Sequence, residues 1–229
     1  MTLTLFLLSI APALAICGYV IHKDRFDKEP FGLLVLAFLF GVGSIFPAIV
    51  GTLIGEQFLT YNGSFINTAL YAFFVVALSE EFAKFIFLRF ILFNRKAFSE
   101  PMDGIVYAVM IGMGFASFEN ILYVAEGGWS VAIMRMITAV PAHAIFAVIM
   151  GYYIGLAKFD LTHRNEFIKK GLIYPILLHG AYDFFLLQKN MSALSLLAFI
   201  GLYYTGKHVM QLLNPSDNNL PKRNGNNDI

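Results

Sequence analysis

Charge is scarce in this chain: 14% of its 229 residues are Asp, Glu, Lys or Arg, against 58% that are hydrophobic. A soluble domain carries about 25% charged residues, and a mean hydropathy of +0.69 points to a polytopic membrane protein. Cysteine is almost absent. Cys17 stands alone, which excludes an intramolecular disulfide and a cysteine-ligated metal centre and leaves packing as its default role. The net charge of +1 carries no nucleic-acid signal, so no nucleic-acid partner is expected. There is no His-Glu-x-x-His helix of the soluble zinc proteases and no glycine-rich phosphate loop. Ser79 and Ser117 lack a legible base and orienting partner, which argues against serine chemistry. No internal repeat and no second domain are visible.

What the chain has is apolar runs. Seven can be read, from about Leu3 to Ile21, Phe31 to Ile54, Phe65 to Phe93, Ile105 to Ala125, Val131 to Ala157, Phe167 to Leu187 and Met191 to Leu213. Each approaches the roughly 20 residues that cross a bilayer, and helices are expected because backbone groups in lipid must satisfy one another. The fold class is therefore all-α, a polytopic bundle of about seven transmembrane helices. Basic residues collect in alternate connections: Lys23, Arg25 and Lys28, then Arg95 and Lys96, then Lys158, Arg164, Lys169 and Lys170, then Lys207, Lys222 and Arg223. The intervening connections hold only Lys189. The positive-inside rule places the N-terminus outside and the C-terminus in the cytoplasm. Ala13-Leu14-Ala15 resembles a signal-peptidase site, but the basic cluster follows the apolar run instead of preceding it, so a retained first helix is expected. Residues 1–213 read as one transmembrane domain and 214–229 as a polar, Asn-rich, disordered cytoplasmic tail.

Several of these runs contain polar residues. The third carries Ser79-Glu80-Glu81-Phe82-Ala83-Lys84, and ionisable groups at that depth cost a few kcal/mol each unless they pair, meet water or do chemistry. Adjacent helical residues point about 100° apart, so Glu80 and Glu81 cannot both face one point. That predicts Glu80 at a reaction centre and Glu81 in a supporting pair, with Lys84 able to reach either. A buried salt bridge is the plain alternative. The fourth run opens on a helix-start signal, Pro101-Met102-Asp103-Gly104, and reaches Glu119-Asn120. The fifth holds Arg135, which can snorkel or pair with a carboxylate, and Pro141-Ala142-His143, where proline can bend the helix beside the imidazole. The sixth holds His179 and Asp183, four apart on one face.

Under the alternating topology, Glu80, Glu119, His143, His179 and Asp183 all fall between the midplane and the outer surface. One shared cavity explains that convergence more simply than four structural accidents. Such a set suits hydrolysis. Glu80 or Glu119 can act as general base, while His143 and His179 bind metal or stabilise an oxyanion, Asn120 being a further donor. Asp183 orients His179 or completes the coordination. A catalytic zinc held by His143, His179 and Glu119 or Glu80 is one form of the site, and a metal-free glutamate mechanism is the other. A proton-coupled transporter also uses Glu, His and Asp relays, but no inverted repeat with paired broken helices is present to support it.

The chain resembles the PrsW family of intramembrane proteases, distant relatives of the CAAX-processing and bacteriocin-immunity membrane proteases. The resemblance is carried by Asp24-Arg25-Phe26-Asp27-Lys28-Glu29-Pro30, Glu80-Glu81-Phe82-Ala83-Lys84 and Glu100-Pro101-Met102-Asp103-Gly104. It continues through Phe115 to Glu119-Asn120, His143 to Gly151, and His179-Gly180-Ala181-Tyr182-Asp183. It implies a bacterial plasma-membrane peptidase making the first, extracytoplasmic-side cut in a single-pass membrane protein such as an anti-sigma factor, at the start of envelope-stress proteolysis. Grouping of the family with metallopeptidases implies zinc. The CAAX-type relatives carry histidine where this chain has Glu119, so their mechanism does not transfer unchanged.

Overall fold

The computed structural model describes residues 1–24, 28–188 and 195–212. Arg25, Phe26 and Asp27 of the first connection, Lys189, the start of the seventh apolar run and the tail 214–229 lie outside the described residues. Among the described residues the chain is helical throughout, with no strand. Helix α1 is Leu3–Lys23, α2 is Phe31–Phe58, and α3 is a continuous helical run built from Phe65–Leu70, Tyr71–Ala77, Leu78–Ile86 and Phe87–Leu92. Then follow α4 (Pro101–Ile137), α5 (Ala139–Phe159), α6 (Arg164–Leu186) and α7 (Ser195–Leu212). Among the described residues, three runs are long and apolar enough to cross a membrane: Leu3–Lys23, Phe31–Phe58 and the 59-residue stretch Pro101–Phe159. Runs α3 and α6 are interrupted by the charged residues that make them interesting.

Helix α4 is the centre of the bundle. It begins at the expected place, with Pro101 in its first turn and a reciprocal capping box between Glu100 and Asp103. Every residue from Gly104 to Ser117 is buried, against α1, α2 and α5. Small residues make that approach possible. A Cβ on Gly114 would lie 2.0 Å from the Phe38 carbonyl oxygen of α2, and one on Gly104 would lie 2.4 Å from the Gly151 carbonyl oxygen of α5. Lipid tails are as apolar as leucine, so close van der Waals packing at glycines, not hydrophobic exclusion, is what holds helices together in a membrane.

Two interruptions shape the outer end. At Gly128 the backbone adopts φ 63° and ψ −146°, a region essentially reserved for glycine. The chain reverses there, within the connection expected at 126–130, and the residues after it run back beside α4. Val124, Ala132 and Leu5 of α1 pack together as a result. The second break is at Thr138 (φ −123°, ψ −73°). Pro141 lies three residues on, and its missing N–H leaves the Ile137 carbonyl without the usual helical donor. The bend expected beside His143 thus falls at Thr138, and α5 starts afresh from Ala139.

Helix α3 departs from what periodicity predicts. Tyr71–Ala77 and Phe87–Leu92 are π-helical, on either side of the α-helical Leu78–Ile86 that holds the two glutamates and Lys84. Widened turns of this kind are frequent at functional sites, and each shifts the rotational register of the side chains that follow.

Candidate active site

Five of the eight sequence-predicted site residues line one cavity of about 580 Å³: Glu80, Glu119, His143, His179 and Asp183. Its walls come from α2 (Thr52), α3, α4, α5 and α6, with Tyr61, Tyr71, Tyr123, Leu186 and Leu187 around it. The other three predicted residues stand behind this surface. Glu81 is wholly buried and Lys84 nearly so. Asn120 is wholly buried too, and turns away from the reaction centre: its Nδ2 donates to the Ser9 carbonyl of α1 at 2.9 Å, and its Oδ1 accepts from Arg135. It is a tie between helices, not a donor to an oxyanion in the cavity.

Glu80 and Glu81 are as unequal as their 100° spacing requires. The Glu81 carboxylate accepts from Lys84 at 2.7 Å and meets His179 Nδ1 at 2.8 Å through the same oxygen. Glu80 Oε2 is buried with no hydrogen-bond partner among the described residues. Its nearest charged neighbours are Lys84 Nζ and His179 Nε2, both at 3.9 Å.

The turn that holds the glutamates also grips both imidazoles. Lys84 Nζ lies 3.2 Å from His143 Nδ1. An ammonium only donates, so Nδ1 accepts and Nε2 carries the proton, which it gives to Glu119 Oε2 at 2.9 Å. This tautomer is assigned from the network. His179 Nδ1 is taken by Glu81, while its Nε2 faces Asp183 Oδ2 at 3.2 Å and Glu80. Each histidine is thus fixed through Nδ1 by a group from α3, and each presents Nε2 to the carboxylates of the cavity. The rings meet edge to face with centroids 5.4 Å apart. Phe146 stacks on His179 at 4.9 Å, and Lys84 sits 4.2 Å over the Phe115 ring. That contact explains the spacing from Phe115 to Glu119: one helical turn of α4 supplies the floor under Lys84 and the acceptor for His143.

A metal fits this set. Donor atoms of Glu80, His143 and His179 lie within 4.8 Å of one another, and two imidazoles with a carboxylate are a zinc donor set. The buried, unbonded Glu80 Oε2 lacks the partner that a cation would supply. Glu119, offered as an alternative ligand, is instead engaged by His143 and by Arg135 Nη2 at 2.8 Å. Residues that sequence reasoning left out of the site are Arg135, Tyr123 and Phe146. Arg135 had a signal, a cation inside an apolar run, and Tyr123 follows Glu119 by one helical turn. Nothing in the chain distinguishes Phe146 from its many apolar neighbours.

Comparison with known proteins fits this geometry. The model of the "PrsW family intramembrane metalloprotease" matches residues 29–205. A Protease PrsW of Geobacillus kaustophilus is 39% identical over 181 residues, covering 79% of each chain. That of Oceanobacillus iheyensis is 38% identical over 82% of this chain and 84% of its own. That of Bacillus subtilis is 36% identical over 77% and 80%. No solved structure matches the chain.

Proposed function

The chain belongs to the PrsW family of intramembrane metalloproteases and is a peptidase, and from that premise we propose that it cuts a single-pass membrane protein in the outer half of the bilayer, with Glu80 as general base. The observation that carries this reading is the inequality of the carboxylates around the cavity. Glu119 is spent on His143 and Arg135, and Asp183 on His179. Of the carboxylates that line the cavity, Glu80 is the one with a buried oxygen that has no hydrogen-bond partner among the described residues; Glu81 Oε2, equally unpartnered, is sealed behind the cavity wall. A base must be able to accept a proton, and an oxygen already engaged by a hydrogen bond and an ion pair is poorly placed for it.

His143 and His179 would hold the metal, which we take to be zinc, His143 giving up its Nε2 proton to do so, and Glu80 beside them would act on the water, not as a ligand. What zinc supplies when bound is Lewis acidity toward water and a peptide carbonyl. The chain's own residues do the rest. Glu80 takes a proton from water and returns it to the leaving amine. Lys84 and Glu81 hold the two imidazoles from behind, and Asp183 orients His179. Phe115 and Phe146 close the back of the site to water. On the topology we take from the charge pattern, seven passes with the N-terminus outside, the cavity faces the outer surface of the plasma membrane. That favours a first, extracytoplasmic-side cut, as in an anti-sigma factor at the start of envelope-stress proteolysis. Membership of a peptidase family leaves the transporter reading without support.

The test is cleavage of a purified single-pass substrate in liposomes, with metal measured per chain. Glu80→Gln is expected to abolish cleavage; His143→Ala and His179→Ala to abolish it and lose metal; Glu119→Gln to retain a reduced rate. Chelation should stop the reaction and zinc restore it. Full cleavage by Glu80→Gln would overturn the assignment, and full activity of metal-free protein would replace zinc with the glutamate-only mechanism.

A further inference from the structure

We propose that Arg135 is a positioning residue for the reaction: its charge holds Glu119 beside His143 and so leaves Glu80 as the cavity carboxylate that takes the proton. This rests on the reading of Glu80 as base. Along an unbroken α-helix Glu119 and Arg135 would stand about 24 Å apart. Reversal at Gly128 instead brings Arg135 Nη2 to 2.8 Å from Glu119 Oε2, the same oxygen that accepts from His143 Nε2 at 2.9 Å. The guanidinium is itself held on two further sides. Its Nε donates to Asn120 Oδ1 at 2.9 Å, and it lies 4.1 Å over the Tyr123 ring. Asn120 is tied in turn to Ser9 of α1.

The fork of the guanidinium is what the geometry needs. Nε is directed at Asn120 while Nη2 faces Glu119, two partners on neighbouring residues of one helix. A lysine, with a single ammonium on a flexible stem, cannot serve both in a fixed geometry. Without a cation there, Glu119 loses the charge opposite it and becomes a second open carboxylate on the cavity wall beside Glu80. His143 loses a rigid partner on the nitrogen that faces the site.

The experiment compares wild type, Glu80→Gln, Arg135→Ala and Arg135→Lys in liposomes with a single-pass substrate, reading kcat, KM and thermal stability, with and without added guanidinium. Loss of a group that orients an active-site ligand costs roughly 10–100-fold in activity, and that loss is expected in kcat for Arg135→Ala with KM little changed. Arg135→Lys should fall between the two, and guanidinium should restore part of the Arg135→Ala rate. Wild-type kcat in Arg135→Ala alongside an inactive Glu80→Gln would overturn this inference and leave the site reading standing. So would a loss that tracks unfolding in both Arg135 variants and does not respond to guanidinium. Wild-type cleavage by Glu80→Gln would instead overturn the site reading itself.

Discussion

The α4–α5 interface sets the distance between Glu119 and His143, so a change remote from the site should reach it through backbone packing. Gly151 of α5 is the place to press. A Cβ there would lie 2.3 Å from the Gly104 carbonyl oxygen and 2.6 Å from the Ile105 Cα. Real contacts stay above 3.0 Å and relax at 3.4 Å, so Gly151→Ala requires the helices to part by about 0.7–1.1 Å. The obstacle is backbone, which cannot rotate aside as a side chain would. Overpacking of this kind costs about 1–3 kcal/mol, and the better helix propensity of alanine returns up to about 1 kcal/mol. A net loss of about 1–2 kcal/mol is expected. Carried to the outer end of the helices, the same displacement stretches the 2.9 Å contact between His143 and Glu119 beyond the roughly 3.2 Å limit of a good N–H···O bond. Cleavage should therefore fall by more than the loss of folded protein accounts for. Thermal unfolding followed by circular dichroism gives the first quantity, and initial cleavage rates well below the transition give the second. Gly43→Ala is the control: a Cβ there meets nothing within 4 Å, so it should be neutral or slightly stabilising with cleavage unchanged. A Gly151→Ala protein with wild-type melting and rate would refute the claim that close backbone contact fixes the site.

Two other perturbations follow from the same geometry. Gly128→Ala places a side chain at φ 63°, at a cost of about 1–3 kcal/mol. Because the reversal is what delivers Arg135, its cleavage rate should fall along with that of Arg135→Ala. Lys84→Met leaves the wholly buried Glu81 without the ammonium 2.7 Å away. Removing one partner of a buried pair costs about 3–5 kcal/mol, so chemical denaturation should show a larger loss than for Gly151→Ala, and the double variant with Glu81→Gln should recover part of it.

What could be read from the chain alone follows from how improbable charge is in lipid. Glu80, Glu81, Lys84, Glu119, His143, His179 and Asp183 stand out against apolar surroundings, and their depths along seven runs suggest a meeting point. The 100° step between neighbours likewise makes Glu80 and Glu81 unequal. Three features are invisible at that level. The π-helical turns on either side of Leu78–Ile86 are made, Arg89 apart, of ordinary apolar and aromatic residues whose α and π forms differ only in tertiary context. The reversal that brings Arg135 to Glu119 depends on one backbone conformation at Gly128. Asn120 reads as a further donor to the site because it follows Glu119 in sequence, yet adjacency on a helix points it elsewhere, toward Ser9.

The adjacency of the two glutamates then has a physical reason. Orienting two imidazoles from different helices needs one group on each Nδ1, and both groups come from one turn of α3: Lys84 for His143 and Glu81 for His179. An isolated lysine buried there would be an uncompensated charge, and Glu81, three residues earlier, supplies the opposite charge while making its own contact to His179. That pairing fixes Glu81 behind the cavity wall, wholly buried and out of reach of a substrate. A residue that accepts a proton must then be a different carboxylate, on the same turn so that it moves with the imidazoles, but rotated toward the cavity. Position 80 meets both conditions. A well-packed apolar replacement of a buried ion pair is often as stable or more so, so stability alone gives little reason for the Glu81–Lys84 pair. Its cost is better explained by the fixed direction it imposes on His143 and His179 beside Glu80.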